Sequence, residues 1–213
     1  MISSSVENLL KLASAPLVAE PALLPVRPSN ADGKLVGEWL RMLDRANGFY
    51  CFESALHVFP SRTSGGNLGL TDWNAAGAWR QEYGRLDRGE LFVAEDIFGN
   101  QFCLLGEAVY TFDAETAELS EFARSVDEWA DKVVSGFETA TGHPLGHRWQ
   151  SKNGPLPPGR RLVPKTPFVL GGAYEVENLY ACEASAGMRA RGNLASQIAD
   201  VPDGAPIKYE VVG

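Results

Sequence analysis

The sequence predicts an α+β fold, with a mostly antiparallel sheet, helices packed on one side of it, and a C-terminal α/β extension. Two observations predict this class. Three β-prone runs lie between Glu90 and Phe112, and their connections are so short that neighbouring strands must pair antiparallel. An amphipathic segment from Leu119 to Phe137 follows, with an apolar stripe at helical spacing. Strands followed by a covering helix are typical of α+β proteins.

Composition divides the chain into three parts. Residues 1–33 are expected to form an N-terminal helix, capped by a run of serines, and a proline-rich connector. Residues 34–140 are expected to form the α+β core, and residues 141–213 an extension packed on it. The 213 residues are therefore interpreted as one compact domain with additions at both ends.

The first half of the core is predicted to begin with a helix over residues 35–43. Asn47 and Gly48 should end this helix, because both residues tolerate the left-handed conformation that closes a last turn. A short strand over residues 56–59 and a glycine-bearing loop over residues 63–71 follow. Asp72 is predicted to open a helical turn.

The remaining elements are predicted by the same patterns. Residues 91–94, 101–105 and 108–112 are the three strands, a turn follows at 113–116, and the helix over 119–137 comes next. Six prolines predict an irregular bridge over residues 142–167. Further strands are predicted at 168–170, 174–182 and 207–212, with a helix over 188–198.

Negative charge is concentrated in one segment. Residues 82–138 carry fourteen acidic and four basic residues, a net charge of −10, whereas the whole chain carries −8. Such a segment repels nucleic acid and anionic lipid and attracts basic partners. We therefore expect a protein partner and neither a nucleic acid nor a membrane, although acidity that serves solubility alone is the competing interpretation.

The expected compartment is the cytoplasm. A membrane-spanning helix needs about 20 consecutive, mostly apolar residues, and the sequence has no such run. Glu7 and Lys11 interrupt the stretch in which a secretion signal would need an apolar core.

The sequence does not predict catalytic chemistry, a cofactor or a metal site. His143 and His147 have the spacing of two zinc ligands on one helix, but Pro144 and Gly146 are expected to break that helix. The loop over residues 64–69 lacks the Gly-Lys-Ser/Thr end of a phosphate-binding loop, and Gly-x-Ser-x-Gly does not occur. We therefore expect a protein that is not an enzyme.

The order of motifs resembles the SUKH superfamily, which includes bacterial immunity proteins and a fungal regulator of cell-wall synthesis. The resemblance is carried by Leu91–Phe102, by Val109–Asp113 and by the segment that follows, and it covers roughly residues 35–137. It implies an antiparallel α+β fold and a binding role, since bacterial members neutralise toxins, often nucleases or deaminases, by direct contact.

The leading hypothesis is therefore a non-catalytic immunity protein that binds a basic toxin domain. The residues expected to contact this partner are an aromatic anchor and six acids: Trp73, Glu95, Asp96, Asp113, Glu115, Glu118 and Glu121. The competing interpretations are a core position for Trp73 and a polar turn that closes a hairpin for Glu95 and Asp96. A regulatory scaffold that docks on a cellular enzyme is the first alternative to an immunity protein. A hydrolase that uses the 64–72 loop and the two histidines is the second, and it requires a cleft that joins His57, His143 or His147 to Glu95 or Asp96.

Overall fold

The computed structural model describes residues 3–23, 30–202 and 204–205. Two helices come first, α1 (Ser4–Lys11) and α2 (Gly33–Leu43). The side chain of Ser3 caps α1 by accepting a hydrogen bond from the amide of Val6, and Asp32 caps α2 in the same way. The helix α2 ends at Leu43 and does not continue to Asn47 and Gly48, the residues that were expected to end it.

Six antiparallel strands form a meander in which each strand pairs with the next. They are β1 (Phe49–Cys51), β2 (Leu56–Val58), β3 (Leu91–Glu95), β4 (Gln101–Leu105), β5 (Ala108–Phe112) and β6 (Leu119–Ala123). The connection between β2 and β3 contains the short helix α3 (Leu70–Trp73) and a 3-10 helix, Arg80–Leu86. The α+β class and the predicted antiparallel sheet are confirmed.

The remaining chain forms four helices and a two-stranded antiparallel sheet. In order these are α4 (Val126–Ser135), α5 (Phe137–Thr141), α6 (His143–Asn153), β7 (Arg160–Pro164), β8 (Leu179–Glu183) and α7 (Ala184–Ile198). Short 3-10 helices at Phe168–Leu170 and Val176–Asn178 lie between β7 and β8. Among the described residues, the helices are too short or too polar to cross a bilayer.

Four sequence predictions in this part of the chain are wrong. The predicted helix over 119–137 begins only at Val126, because residues 119–123 pair with β5 as an edge strand. The predicted irregular bridge over 142–167 contains α6 and β7, since a proline is tolerated in the first turn of a helix. Residues 168–170 form a 3-10 helix rather than a strand. The strand predicted over 174–182 is confined to β8, because Val176–Asn178 form a 3-10 helix. The strand predicted at 207–212 lies outside the described residues.

Helical segments cover both faces of the six-stranded sheet. On one face Trp129 of α4 contacts Phe102 at 5.7 Å between ring centroids. Phe92 pairs with Cys103 and so lies on the same face of the sheet as Cys103. Phe102 is the residue before Cys103 in β4 and points to the other face, because successive side chains of a strand alternate. Trp79 contacts Phe92 at 4.9 Å between ring centroids. The predicted cover on one side is thus accompanied by a second layer, which the sequence analysis did not predict.

Candidate functional site

Four of the seven predicted contact residues are buried: Glu115, which is 6% exposed, and the three residues Trp73, Glu95 and Asp96. Trp73 is 1% exposed, and its indole N–H donates to Gln101 Oε1 at 2.9 Å while its ring packs against Phe59. Glu95 and Asp96 are 1% and 8% exposed. The prediction that these three side chains belong to a partner surface is therefore wrong, because each is used inside the protein.

Glu95 is the centre of a buried charged cluster. Its Oε1 lies 2.7 Å from Arg161 Nε and 2.9 Å from His57 Nδ1. Arg161 lowers the pKa of Glu95 against the opposing effect of burial, so this carboxylate is charged. Burial lowers the pKa of His57 to about 4, so His57 is neutral and donates from Nδ1. We call Glu95, His57 and Arg161 the buried charge cluster.

A very small cavity adjoins this cluster. His57, Glu95 and Trp73 line it together with Gly66 and Leu68 of the predicted glycine-bearing loop, and its volume is about 10 Å³. That space is the size of one water molecule. The hydrolase alternative required His57, His143 or His147 to meet Glu95 or Asp96 in a cleft. Only His57 reaches Glu95, and His143 and His147 contact Glu53 instead.

Asp96 closes the turn between β3 and β4. Its Oδ1 accepts hydrogen bonds from the amides of Phe98, at 2.8 Å, and Asn100, at 2.9 Å, while Oδ2 accepts from Asn100 Nδ2. Burial raises the pKa of Asp96 to about 7, although these donors oppose the shift. Asp96 therefore has a local structural role that the sequence pattern alone did not distinguish from partner contact.

Asp113 and Glu115 instead line an open cleft of about 260 Å³. Asp113 begins the predicted turn and its Oδ1 accepts from the amides of Glu115 and Thr116, which leaves its carboxylate exposed. Glu115 lies in the wall of the cleft but is only 6% exposed, and its Oε2 accepts from the amide of Val169 at 2.8 Å. Two predicted contact residues thus line one cleft, and of these two Asp113 is the exposed one.

Aromatic side chains line the same cleft. The rings of Phe168 and Tyr174 stack at 3.9 Å with an angle of 4° between their planes, and Tyr174 is 66% exposed. Phe98 contacts Phe168 edge to face at 5.9 Å. We call this surface the acidic–aromatic cleft; it is lined by Phe98, Asp113, Glu115, Phe168, Val169, Tyr174 and Arg191, among others.

The carboxylates of this cleft give it negative potential. Burial, followed by the charges of Glu115, Asp113 and Asp96, raises the pKa of the Tyr174 phenol. Arg191, the one basic residue lining the cleft, is buried and donates Nε–H to the carbonyl of Gly187 at 3.0 Å and Nη1 to the carbonyl of Phe98. Within the described parts of the chain, neither Asp113 nor Glu115 has a basic side chain within ion-pair distance.

Glu118 and Glu121 are exposed and follow shortly after Asp113 in the sequence. Glu121 lies on β6 and forms an ion pair of 3.0 Å with Arg124, so part of its charge is compensated. Glu118 precedes β6, and its amide bonds to the hydroxyl of Thr116. These two residues remain candidates for the rim of a contact surface, but they do not line the cleft itself.

The sequence analysis missed Tyr174, Phe168 and Arg191. These residues lie more than fifty positions from Asp113 in the sequence and come from the extension, so no local spacing connects them to the acids. The only signal was compositional, since an exposed tyrosine beside Gly171 and Gly172 is typical of a surface loop.

Comparison with known proteins supports the fold and nothing finer. No family model matches the sequence, and no curated protein matches it. The structure is similar to the crystal structure of Atu4351 from Agrobacterium tumefaciens, with a TM-score of 0.51 over 88% of each chain and 14% sequence identity. At this identity the likeness concerns the fold alone.

Proposed function

We propose that this protein binds a basic protein partner and neutralises it by occupying its functional surface, as an immunity protein does with a toxin domain. The observation that carries the proposal is the acidic–aromatic cleft, in which an exposed tyrosine stacked on Phe168 lies in the same cleft as the exposed carboxylate of Asp113 and the buried carboxylate of Glu115. This arrangement suits an arginine or lysine side chain of a partner.

The chemistry of such contact is well matched to the cleft. A guanidinium group can stack on an aromatic ring, gaining about 0.5–2 kcal/mol, while it donates hydrogen bonds to a carboxylate. Asp113 is the exposed acceptor of the cleft, whereas Glu115 Oε1 is buried and has no hydrogen-bond partner among the described protein atoms. Aromatic anchors surrounded by polar groups are typical of the residues that dominate binding energy at interfaces.

The class of partner follows from the resemblance described above and from charge. SUKH-like immunity proteins bind toxins that are often nucleases or deaminases, and enzymes that act on nucleic acid carry basic active sites. Opposite potentials speed the encounter of two proteins and weaken when salt is added. A toxin domain encoded beside this gene is therefore the expected partner.

The test is a binding titration with the purified product of the adjacent gene at about 50 mM and about 500 mM salt. We expect tight binding that weakens at high salt, and a loss of about tenfold for the variant Asp113→Asn combined with Glu115→Gln. Glu138→Gln removes an exposed acid of the same segment outside the cleft and should bind like the unchanged protein.

Two results would count against this proposal. One is no binding at either salt concentration, which would favour the scaffold alternative when the neighbouring genes encode no toxin. The other is binding that the cleft variant leaves unchanged, which would move the contact surface away from the acidic–aromatic cleft.

A further inference from the structure

Two histidines of α6 and a glutamate of the β1–β2 turn lie close together. His143 and His147 lie one turn apart on α6, and their rings are 5.8 Å apart between centroids. Glu53 Oε2 lies 2.7 Å from His147 Nδ1 and 3.4 Å from His143 Nε2. One ligand atom from each of the three side chains lies within 4.8 Å of the others.

The helix that presents both histidines is stabilised where sequence reasoning expected a break. Pro144 lies in the first turn of α6, where a missing amide hydrogen costs little. Gly146 faces Ile97, and a Cβ at position 146 would lie 2.3 Å from Ile97 Cδ1. The glycine therefore permits close packing of α6 against the β3–β4 turn, and the two histidines share one face of the helix.

The third residue is held in place by an unusual turn. Phe52, Glu53 and Ser54, between β1 and β2, have φ angles of 52°, 54° and 67°, a left-handed conformation that is unfavourable for residues with side chains. The carbonyl of Glu53 accepts from Gln150 Nε2 of α6 at 2.8 Å, and the ring of Phe52 stacks on Phe137 at 4.7 Å. These contacts fix Glu53 relative to the histidines.

We propose that Glu53, His143 and His147 bind a Zn²⁺ ion, or another first-row divalent cation with the same ligand preference, with the remaining coordination position open to solvent. Two imidazole nitrogens and one carboxylate oxygen are a ligand set that zinc uses with an open fourth position. A groove of about 430 Å³, lined by Ser54, Gln150 and Pro155 among others, borders Glu53 and His147 and gives the open position access to solvent.

The distances are compatible with a bound ion after a small adjustment. Ligand atoms about 2.0–2.1 Å from a tetrahedral zinc ion lie about 3.3 Å from one another. The Glu53–His143 separation of 3.4 Å matches this value and is long for a hydrogen bond. The Glu53–His147 distance of 2.7 Å would lengthen by about 0.6 Å to admit the ion. His147 and Glu53 are half exposed, so their side chains have room for this adjustment.

The experiment uses the full chain without a histidine tag, in buffer freed of metal. Calorimetric titration with Zn²⁺ should show one ion per chain, and thermal unfolding should shift upward by a few degrees in its presence. Titration with Co²⁺ should produce the visible absorption of tetrahedral cobalt. His147→Ala should abolish the calorimetric Zn²⁺ signal, the thermal shift and the cobalt absorption. Glu53→Gln should weaken Zn²⁺ binding at least tenfold.

Glu177→Gln is the matched control, because it removes an exposed acid that pairs with Lys152 of α6, the helix that carries the two histidines. This variant should bind Zn²⁺ like the unchanged protein. The proposal is overturned if the unchanged chain does not bind one Zn²⁺ ion per molecule. It is also overturned if His147→Ala binds Zn²⁺ as tightly as the unchanged chain. Since His147 is half exposed, this variant is expected to fold even if substitution of the less exposed His143 impairs folding.

Discussion

The buried charge cluster and the acidic–aromatic cleft use carboxylates from the same acidic segment in opposite ways. Glu95 is enclosed with Arg161 and His57 beside it, and its charge is compensated inside the protein. Asp113 lies only eighteen residues further along, yet it is exposed in an open cleft and forms no ion pair among the described residues. A net charge counted along a sequence therefore overstates the charge that a partner meets.

The largest expected effect breaks the buried charge cluster. Arg161→Leu would leave the Glu95 carboxylate buried with only neutral partners, His57 and Gln101, and we expect a loss of about 3–5 kcal/mol in the free energy of unfolding. Urea denaturation measures this quantity. The exposed neighbour is the control, since Arg160→Leu should cost less than about 1 kcal/mol.

A second variant separates charge from packing in the same cluster. Arg161→Leu combined with Glu95→Leu removes both charges, so the double variant should recover part of the stability lost in the single variant. Equal instability of the single and double variants would show that shape, rather than an uncompensated charge, dominates at this position.

The next effect is a pH dependence that His57 imposes on stability. Its pKa is about 4 in the folded protein and about 6.5 when unfolded, so between these values the unfolded chain holds a proton that the folded chain lacks. Stability due to His57 is therefore present above pH 6.5 and is lost as the pH falls toward 4, by about 3 kcal/mol in total. As the pH falls through this interval, the unfolding free energy of the unchanged protein should approach that of His57→Gln.

Asp96 supplies the internal check, because its sign is opposite. Its pKa is raised to about 7, so the folded protein holds a proton that the unfolded chain loses above its ordinary value near 3.8. Its contribution is therefore present at low pH and is lost as the pH rises toward 7. Asp96→Asn should steepen the loss of stability on acidification, whereas His57→Gln should flatten it. Identical pH profiles for both variants would contradict the assignment.

The sequence predicted the meander because its information is local. Short turns at Gly99–Asn100 and Gly106–Glu107 force neighbouring strands to pair, and the observed register follows them. The strand β6 was missed because Leu119 and Phe122 are spaced three apart and so match the helical stripe that continues in α4. The signal that separates the two elements is Ser125, whose side chain caps α4 by accepting from the amide of Glu128.

The candidate sites were only partly predictable, for a physical reason. Asp113 begins a turn that the sequence reveals, so its exposed position followed from local chemistry, whereas the burial of Glu115 did not. Arg161, Tyr174 and Glu53 acquire their roles by meeting residues far away in the sequence, which no spacing rule encodes: Glu95 for Arg161, the cleft residue Asp113 for Tyr174 and the two histidines for Glu53. Likewise, the permissive role of Gly146 depends on how closely α6 approaches Ile97.

The smallest expected change in stability belongs to the cleft, at Tyr174. Because this side chain is 66% exposed and packs mainly on Phe168, Tyr174→Ala should cost less than about 1 kcal/mol in urea denaturation. Binding of the partner proposed above should nevertheless weaken about tenfold or more, since an exposed aromatic ring that anchors a cation contributes mainly to the complex.

Tyr174→Phe sharpens this prediction, because it keeps the ring face that stacks on a cation and removes only the hydroxyl. We expect this variant to retain most of the affinity, and to do so at both low and high salt. If Tyr174→Phe instead binds as weakly as Tyr174→Ala, the phenol hydroxyl makes the decisive contact. If Tyr174→Ala binds the partner normally, the aromatic wall belongs to the fold alone, and the difference between the cleft and the buried charge cluster is one of exposure rather than of function.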